Sequence, residues 1–283
     1  MPGQLFIVAT PIGNLEDITH RALRVLREVD LIACEDTRHT RKLLNHFGIA
    51  TKTISYHEHN ERERAGEICD LLQSGRNVAL VSDAGTPLIN DPGFRIVQLA
   101  TTRGIPVVPV PGASALVTAL AGSGLPTARF MFEGFLPPRA RARRNRLSEL
   151  SRIPATLIFY EAPHRIRATL KDALDVLGTR AAVVARELTK LHEEFVRGTL
   201  AELVEHFSED RSARGEFVLM ISGEPAESSP IASSPEKLRE RTNELERGGL
   251  NSKDALKQAA RELGMKRAEA YRIMVDQKKR RSK

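Results

Sequence analysis

The stretch SDAGTPLINDPG at residues 82–93 decides how this chain is read. It follows Val78, Ala79, Leu80 and Val81, a run with strand character. It then spends twelve residues on two Gly, two Pro and two Asp, where an ordinary connection takes only a few. Long polar loops at the ends of buried strands are where open α/β sheets hold ligands. The loop therefore predicts a parallel sheet with a binding site at the carboxyl ends of its strands.

The neighbouring sequence carries the same rhythm. Strands are expected at 5–9, 31–34, 53–56, 77–81 and 106–110, with helices at 19–29, 38–47, 61–73, 94–102 and 114–121 between them. Thr19 is the expected cap of the first helix. Such alternation means parallel βαβ units, and the short continuous apolar strands suit a sheet covered on both faces. From about Pro126 a second α/β unit follows, with strands at 130–134, 156–160, 182–186 and 216–221 and helices near 142–151, 166–177 and 200–207. The expected organisation is an α/β domain over 1–124, a second over 125–224, a Pro- and Ser-rich linker at 225–235 and a basic helical domain at 236–283.

The 283 residues exceed a usual single core, and 41% hydrophobic with 28% charged residues is ordinary for a globular protein. The first fourteen residues have no basic segment before a short apolar run, and read as neither a signal peptide nor a membrane span. Cys34 and Cys69 are the only cysteines, which suggests a reducing cytoplasm. The net charge of +7 is confined to residues 236–283, with fifteen Lys and Arg against eight Asp and Glu; the rest carries 28 of each sign. Five Arg, at 139, 141, 143, 144 and 146, also fall within eight residues. Arg fits phosphate oxygens bidentately, so Arg139, Arg141, Arg143, Arg144 and Arg146 are candidate RNA contacts, with a solvated helix face as the alternative.

Several chemistries lack their residues. The first strand opens into Thr10-Pro11-Ile12-Gly13-Asn14 without the paired glycines of a dinucleotide turn, and no phosphate loop or zinc helix motif is present. His57 and His59 offer only two imidazoles on one face, so no metal is expected. Gly112-Ala113-Ser114-Ala115 lacks the second glycine of a nucleophile elbow. What remains is a set of loops at strand ends, 10–14, 82–93, 111–115 and 160–164, which parallel topology brings together. Asp83 can accept from an amine or ribose hydroxyls, and the helix start after Gly112 offers N–H groups to a carboxylate or phosphate, although each is also ordinary turn chemistry. The expected ligand is a polar small molecule carrying both signs.

Seven segments, LFIVATPIGNLEDIT (5–19), ACEDTRHTRKLL (33–44), SDAGTPLINDPG (82–93), VPGASALVTAL (110–120), FEGFLPP (132–138), FYEAPHRI (159–166) and RELTKLHEEFVRG (186–198), resemble the signature segments of the tetrapyrrole methylase superfamily. They are closest to its ribosomal branch, which 2′-O-methylates a cytidine of small-subunit (16S) ribosomal RNA in the decoding region. The resemblance implies a two-domain, non-Rossmann methyltransferase fold with a small C-terminal helical domain, S-adenosylmethionine as cofactor, and a homodimer. It places Pro11, Ser82, Asp83, Ala84, Gly85, Ser114, Ala115, Phe159, Tyr160 and Leu188 around the cofactor. The tetrapyrrole enzymes commonly show Gly-Asp-Pro where this chain has Ser82-Asp83-Ala84, which counts against a corrinoid or porphyrin substrate.

Methyl transfer from a sulfonium needs chiefly alignment, with a carboxylate or imidazole to take the hydroxyl proton. Glu35, Asp36 and His57, at the exits of the second and third strands, are the candidates, with helix capping as the alternative for Asp36. In the tail, Ser252 is expected to cap a helix at 253–263, and 266–277 to form a second with Ala270, Tyr271 and Met274 inward. That pair resembles a helix-turn-helix whose Lys266 and Arg267 would grip phosphates. A sensor of this shape without turnover is the remaining alternative.

Overall fold

The computed structural model describes residues 1–209, 215–223, 235–262, 270, 271 and 273. Two compact units divide the chain: Met1–Ser151 with Ala155–Ser222, and Arg152–Pro154 with the described part of Gly223–Lys283.

The first unit holds two five-stranded sheets. Strands β1 (Leu5–Val8), β2 (Leu31–Cys34), β3 (Thr53–Ser55), β4 (Val78–Val81) and β5 (Val107–Val110) lie in the order β3-β2-β4-β1-β5, all parallel. Side chains alternate between two apolar cores. Leu5, Ile7, Val78 and Leu80 face one, whereas Val8, Ala79, Val81 and Cys34 face the other. Burial on both faces is why these strands read as unbroken apolar runs. Helices α1 (His20–Glu28), α2 (Thr37–His46), α3 (Glu61–Gln73) and α4 (Phe94–Thr102) connect them, and α5 (Ala115–Ser123) leads on to the second sheet. Thr19 caps α1 as expected, its hydroxyl accepting from the Ala22 N–H at 3.1 Å.

The second sheet is mixed. Its strands are β6 (Phe130–Phe135), β7 (Thr156–Glu161), β8 (Ala181–Arg186), β9 (Glu194–Thr199) and β10 (Phe217–Ile221), in the order β6-β7-β10-β8-β9. Only β6 and β7 pair in parallel. Helix α5 packs on this sheet, where Ala119 and Leu120 join Ile158, Val183, Ala185, Val218 and Met220 in one core. Helices α6 (Ala140–Leu150), α7 (Ile166–Leu177) and α8 (Leu200–Glu209) complete the unit. The edge strand β9 is absent from the sequence expectation; its EFVRGT pattern mixes charge into a short apolar pair.

In the second unit, α9 (Pro235–Arg247) and α10 (Ser252–Glu262) pack through Leu238, Ala259 and Ala260, and Ala270 joins the same core. Helix α9 is a correction: Pro235, read as the last linker residue, stands at the first helical position, where its missing N–H costs nothing. The cap of α10 is Asn251, not Ser252, since its Oδ1 accepts from the Asp254 N–H at 2.9 Å. Ala270 is buried, but Tyr271 is 65% exposed rather than inward. Residues 224–234 of the linker, and Lys266, Arg267 and Met274, lie outside the described residues. Among the described residues no helix is long and apolar enough to cross a membrane.

Helix α6 divides the arginine run. Arg143 is 4% exposed and turns inward on the stripe of Leu147 and Leu150, so it is withdrawn from the candidate RNA contacts. Its Nη2 lies 2.6 Å from Asp172, and its Nη1 donates to the Pro138 carbonyl. Arg144 shares Asp172 at 2.7 Å, and Arg146 pairs with Glu133 and Glu149. Arg139 and Arg141 are exposed and make no ion pair among the described residues. Removing one partner of a buried pair leaves an uncompensated charge. Asp172→Ala should therefore cost about 3–5 kcal/mol by urea denaturation, and the double change Arg143→Met with Asp172→Leu should recover most of the loss.

Candidate functional site

The apolar strand β4 delivers the chain to Ser82, which is 4% exposed. Its hydroxyl donates back to the Ala84 and Gly85 carbonyls at 3.4 and 3.3 Å, folding the loop onto the strand end. A two-residue bridge then ties this loop to the exit of β1. The Thr10 N–H donates to the Gly85 carbonyl at 2.9 Å, and the Gly85 N–H donates to the Thr10 carbonyl at 3.1 Å. Gly85 has φ +83°, a left-handed conformation that glycine adopts without steric cost. Thr86 extends the link, its hydroxyl donating to the Ala113 carbonyl at 3.2 Å. Three of the loops expected to meet are thus hydrogen-bonded to one another.

Beyond Thr86 the loop takes a strained course. Leu88 and Asn90 have φ +73° and +67°, a region costly for side chains with a Cβ, above all for leucine. Packing holds Leu88 there: its side chain sits against the sheet core, and a Cβ on Gly93 would come within 2.9 Å of Leu80 and 3.0 Å of Leu88. Asn90 reaches the other sheet, its Oδ1 lying where a Cβ on Gly134 would sit, 2.6 Å away. Gly134 has φ +74° and directly follows the register shift of β6 at Glu133.

Between the sheets lies a cavity of about 420 Å³. Its floor and near wall come from Ile12, Glu35, Asp83, Ala84, Gly85 and Thr86. Ser114 and Ala115 contribute the start of α5, and Phe135, Tyr160, Glu161 and Glu216 the second sheet. Tyr160 stands near the end of β7, and burial raises its phenol above the usual range.

Every ionisable carboxyl or basic side chain in this wall is acidic: Glu35, Asp83, Asp91, Glu161 and Glu216. Glu161 is neutralised by Arg165 at 3.1 Å and accepts from the Thr169 hydroxyl, so its charge is spent within the second sheet. Asp83 accepts the Asp36 N–H at 3.1 Å. Burial, then Asp83, raises the Glu35 carboxyl above its usual range. Burial, then Glu35, pushes Asp91 up to about 6; Asp83 and Glu216 add to the effect, and the Ser82 hydroxyl opposes it. Such a cavity suits a cationic ligand with a separate carboxylate that the N–H groups opening α5 can take. The sulfonium, ammonium and carboxylate of S-adenosylmethionine fit that requirement.

Of the expected cofactor residues, Asp83, Ala84, Gly85, Ser114, Ala115 and Tyr160 line the cavity. The other four stand elsewhere. Ser82 is buried beneath the loop; Pro11 is half-buried, and its neighbour Ile12 supplies the wall instead. Phe159 is fully buried, because strand alternation sends it to the face opposite Tyr160. Leu188 joins the core of Ile12, Ala119 and Leu120. Among the proton acceptors only Glu35 lines the cavity. Asp36 caps α2, and Arg38 at 3.0 Å holds its carboxyl down at about 2. His57 lies against Asn60 and has its ring 5.9 Å from that of His59. Among the described residues no group of three or more His, Cys, Asp or Glu is arranged for a metal ion.

A cation in the cavity favours ionised Asp91, whereas without one the group is protonated below about pH 6. Affinity for S-adenosylmethionine should therefore rise several-fold from about pH 5 to about pH 7 and then level off. Calorimetry in buffers of different ionisation enthalpy should show proton release on binding near pH 5. Asp91→Asn should remove the pH dependence, and an equal slope in that variant would contradict the assignment.

The comparisons with known proteins agree with this geometry. The model of the Tetrapyrrole (Corrin/Porphyrin) Methylases matches residues 4–204. A Halalkalibacterium halodurans protein named ribosomal RNA small subunit methyltransferase I is 51% identical over 276 residues, covering 96% of this chain and 94% of that protein. A Synechocystis protein of the same name is 50% identical over 275 residues, covering 97% and 98%. Among solved structures, diphthine synthase aligns with a TM-score of 0.60 at 17% identity, covering 78% of this chain and 90% of that one. Uroporphyrin-III C-methyltransferase from Thermus thermophilus, complexed with S-adenosylhomocysteine, aligns with a TM-score of 0.54 at 20% identity, covering 80% and 100%. Shared fold with the solved structures, and half-identity over nearly the full length of the curated relatives, make this chain a member of the tetrapyrrole methylase family, in the group of the ribosomal RNA small subunit methyltransferase I proteins.

Proposed function

We propose that the protein uses S-adenosylmethionine to methylate the ribose 2′-hydroxyl of a cytidine in the decoding region of small-subunit ribosomal RNA, acting in the cytoplasm as a homodimer. The observation that carries this reading is the acidic cavity pinned between the strand-end loops. Its carboxylates attract a sulfonium cofactor and repel a polycarboxylate. A corrinoid or porphyrin substrate is therefore the weaker alternative, in keeping with Ser82-Asp83-Ala84. The names of the curated relatives supply the RNA class.

Bound there, S-adenosylmethionine supplies a methyl group that needs no further activation. The chain's residues do the remaining work. Asp83 and its carboxylate neighbours bind the cationic end, the N–H groups at Ser114 and Ala115 take the carboxylate, and Tyr160 with Ile12 excludes water. Glu35 and Asp91 are the carboxylates with raised proton affinity in the wall, and we assign acceptance of the ribose hydroxyl proton to this pair. Asp36, held near 2, is a much weaker base.

RNA affinity in this reading comes from Arg139 and Arg141 with the basic tail, whose Lys266 and Arg267 belong to the same proposal. A homodimer would cover apolar side chains that stay exposed, Phe94, Val117 and Phe130. Labelled-methyl transfer should enter the RNA of purified small ribosomal subunits and not free tetrapyrroles; transfer to tetrapyrroles alone would overturn the reading. Truncation after Pro235 should leave cofactor affinity intact while weakening RNA binding and flattening its salt dependence.

A further inference from the structure

The segment FEGFLPP places a phenylalanine in an unusual position. Phe135 ends β6 and lines the cavity, yet is 49% exposed. Its neighbours fix it. Gly134 before it resumes the pairing after the strand bulge at Glu133, and Leu136 after it is 1% exposed, with its carbonyl taken by Arg165 Nη2 at 2.5 Å. The Tyr160 ring meets Phe135 edge-on, with centroids 5.8 Å apart and an interplanar angle of 64°. Ile89, 39% exposed, lines the same cavity from the central loop. Two large apolar side chains, one from the central loop and one from the second sheet, thus stand in the same cavity wall as the carboxylates.

Charge changes sign further along the same chain. Pro137 and Pro138 stiffen the path from Phe135 to Arg139 and Arg141, which are exposed and make no ion pair among the described residues. Acidic cavity, aromatic wall and free guanidinium groups match the parts of a nucleotide unit presented to a bound cation: reacting hydroxyl, base and flanking phosphates. A ribose inside a helix cannot reach such a cavity, so its nucleotide has to leave the stack. An aromatic platform offsets that loss without reading sequence.

We propose that Phe135 is the stacking platform for the base of the nucleotide being methylated, with Ile89 lining the same cavity and Arg139 and Arg141 taking the flanking phosphates. The proposal rests on the RNA-methylating reading and adds a substrate subsite to it. Phe135→Leu keeps apolar bulk and removes the ring; Phe135→Trp keeps a ring. For the leucine variant, kcat/KM for purified small subunits should fall about tenfold or more, with S-adenosylmethionine affinity within about twofold of the parent, and the tryptophan variant should regain most of the loss. An unchanged kcat/KM in the leucine variant overturns the platform. So does a loss confined to cofactor affinity, which would give the ring to the adenosine, or a changed sedimentation mass, which would make it a contact between copies of the chain. Failure of the parent protein to methylate RNA would instead reject the underlying reading.

Discussion

Two peptide hydrogen bonds, exchanged between Thr10 and Gly85, hold the site in register. Strands β1 and β4 are neighbours in the sheet, but parallel pairing alone leaves the loops beyond their ends without partners. The bridge carries the pairing one step past the sheet, and Thr86 passes it on to the loop before α5. Asp83, Gly85 and Ser114 then inherit their positions from backbone geometry. The arrangement favours a glycine at 85, where the bridge requires φ +83°.

The first unit treats buried charge in two opposite ways. Under α6, Arg143 and Arg144 converge on Asp172, and the carboxylate is fully compensated from within the fold. In the cavity, Glu35, Asp83, Asp91 and Glu216 face one another with no basic side chain in the wall. Burial first, and then like charges that are not neutralised locally, raise the proton affinity of Asp91 and Glu35. This is a cost to the empty protein that a cationic ligand relieves, and carboxylates of raised proton affinity are suited to accepting a proton near neutral pH.

Much of this was legible in the sequence, for identifiable reasons. The first sheet is a series of short apolar runs punctuated by caps and glycines, and α3, α4 and α7 fall at the expected residues. Strand exits pointed to Glu35, Asp83, Gly85 and Ser114, and the family resemblance added Ala84, Ala115 and Tyr160; all seven line one cavity. Phe159 did not follow, because adjacent residues of a strand face opposite ways. Asn90 and Asp91 sit inside the segment that opened the reading, but the inversion at Leu88 and Asn90 comes from packing that no local pattern shows. Glu216 lies at the mouth of β10 without any motif to mark it. Arg143 was within reach, since its spacing to Leu147 and Leu150 puts it on the apolar stripe of α6.

The order β3-β2-β4-β1-β5 also governs how the molecule assembles. Strand β1 is made before either of its partners, β4 and β5, which come many residues later. All pairs in the first sheet are parallel and none is a hairpin, so β1 has no strand partner until β4 has been made and lacks its second until β5 follows. Slow, non-local closure of this kind exposes the half-made chain to clumping. The short α9–α10 pair, built from near neighbours, escapes that delay.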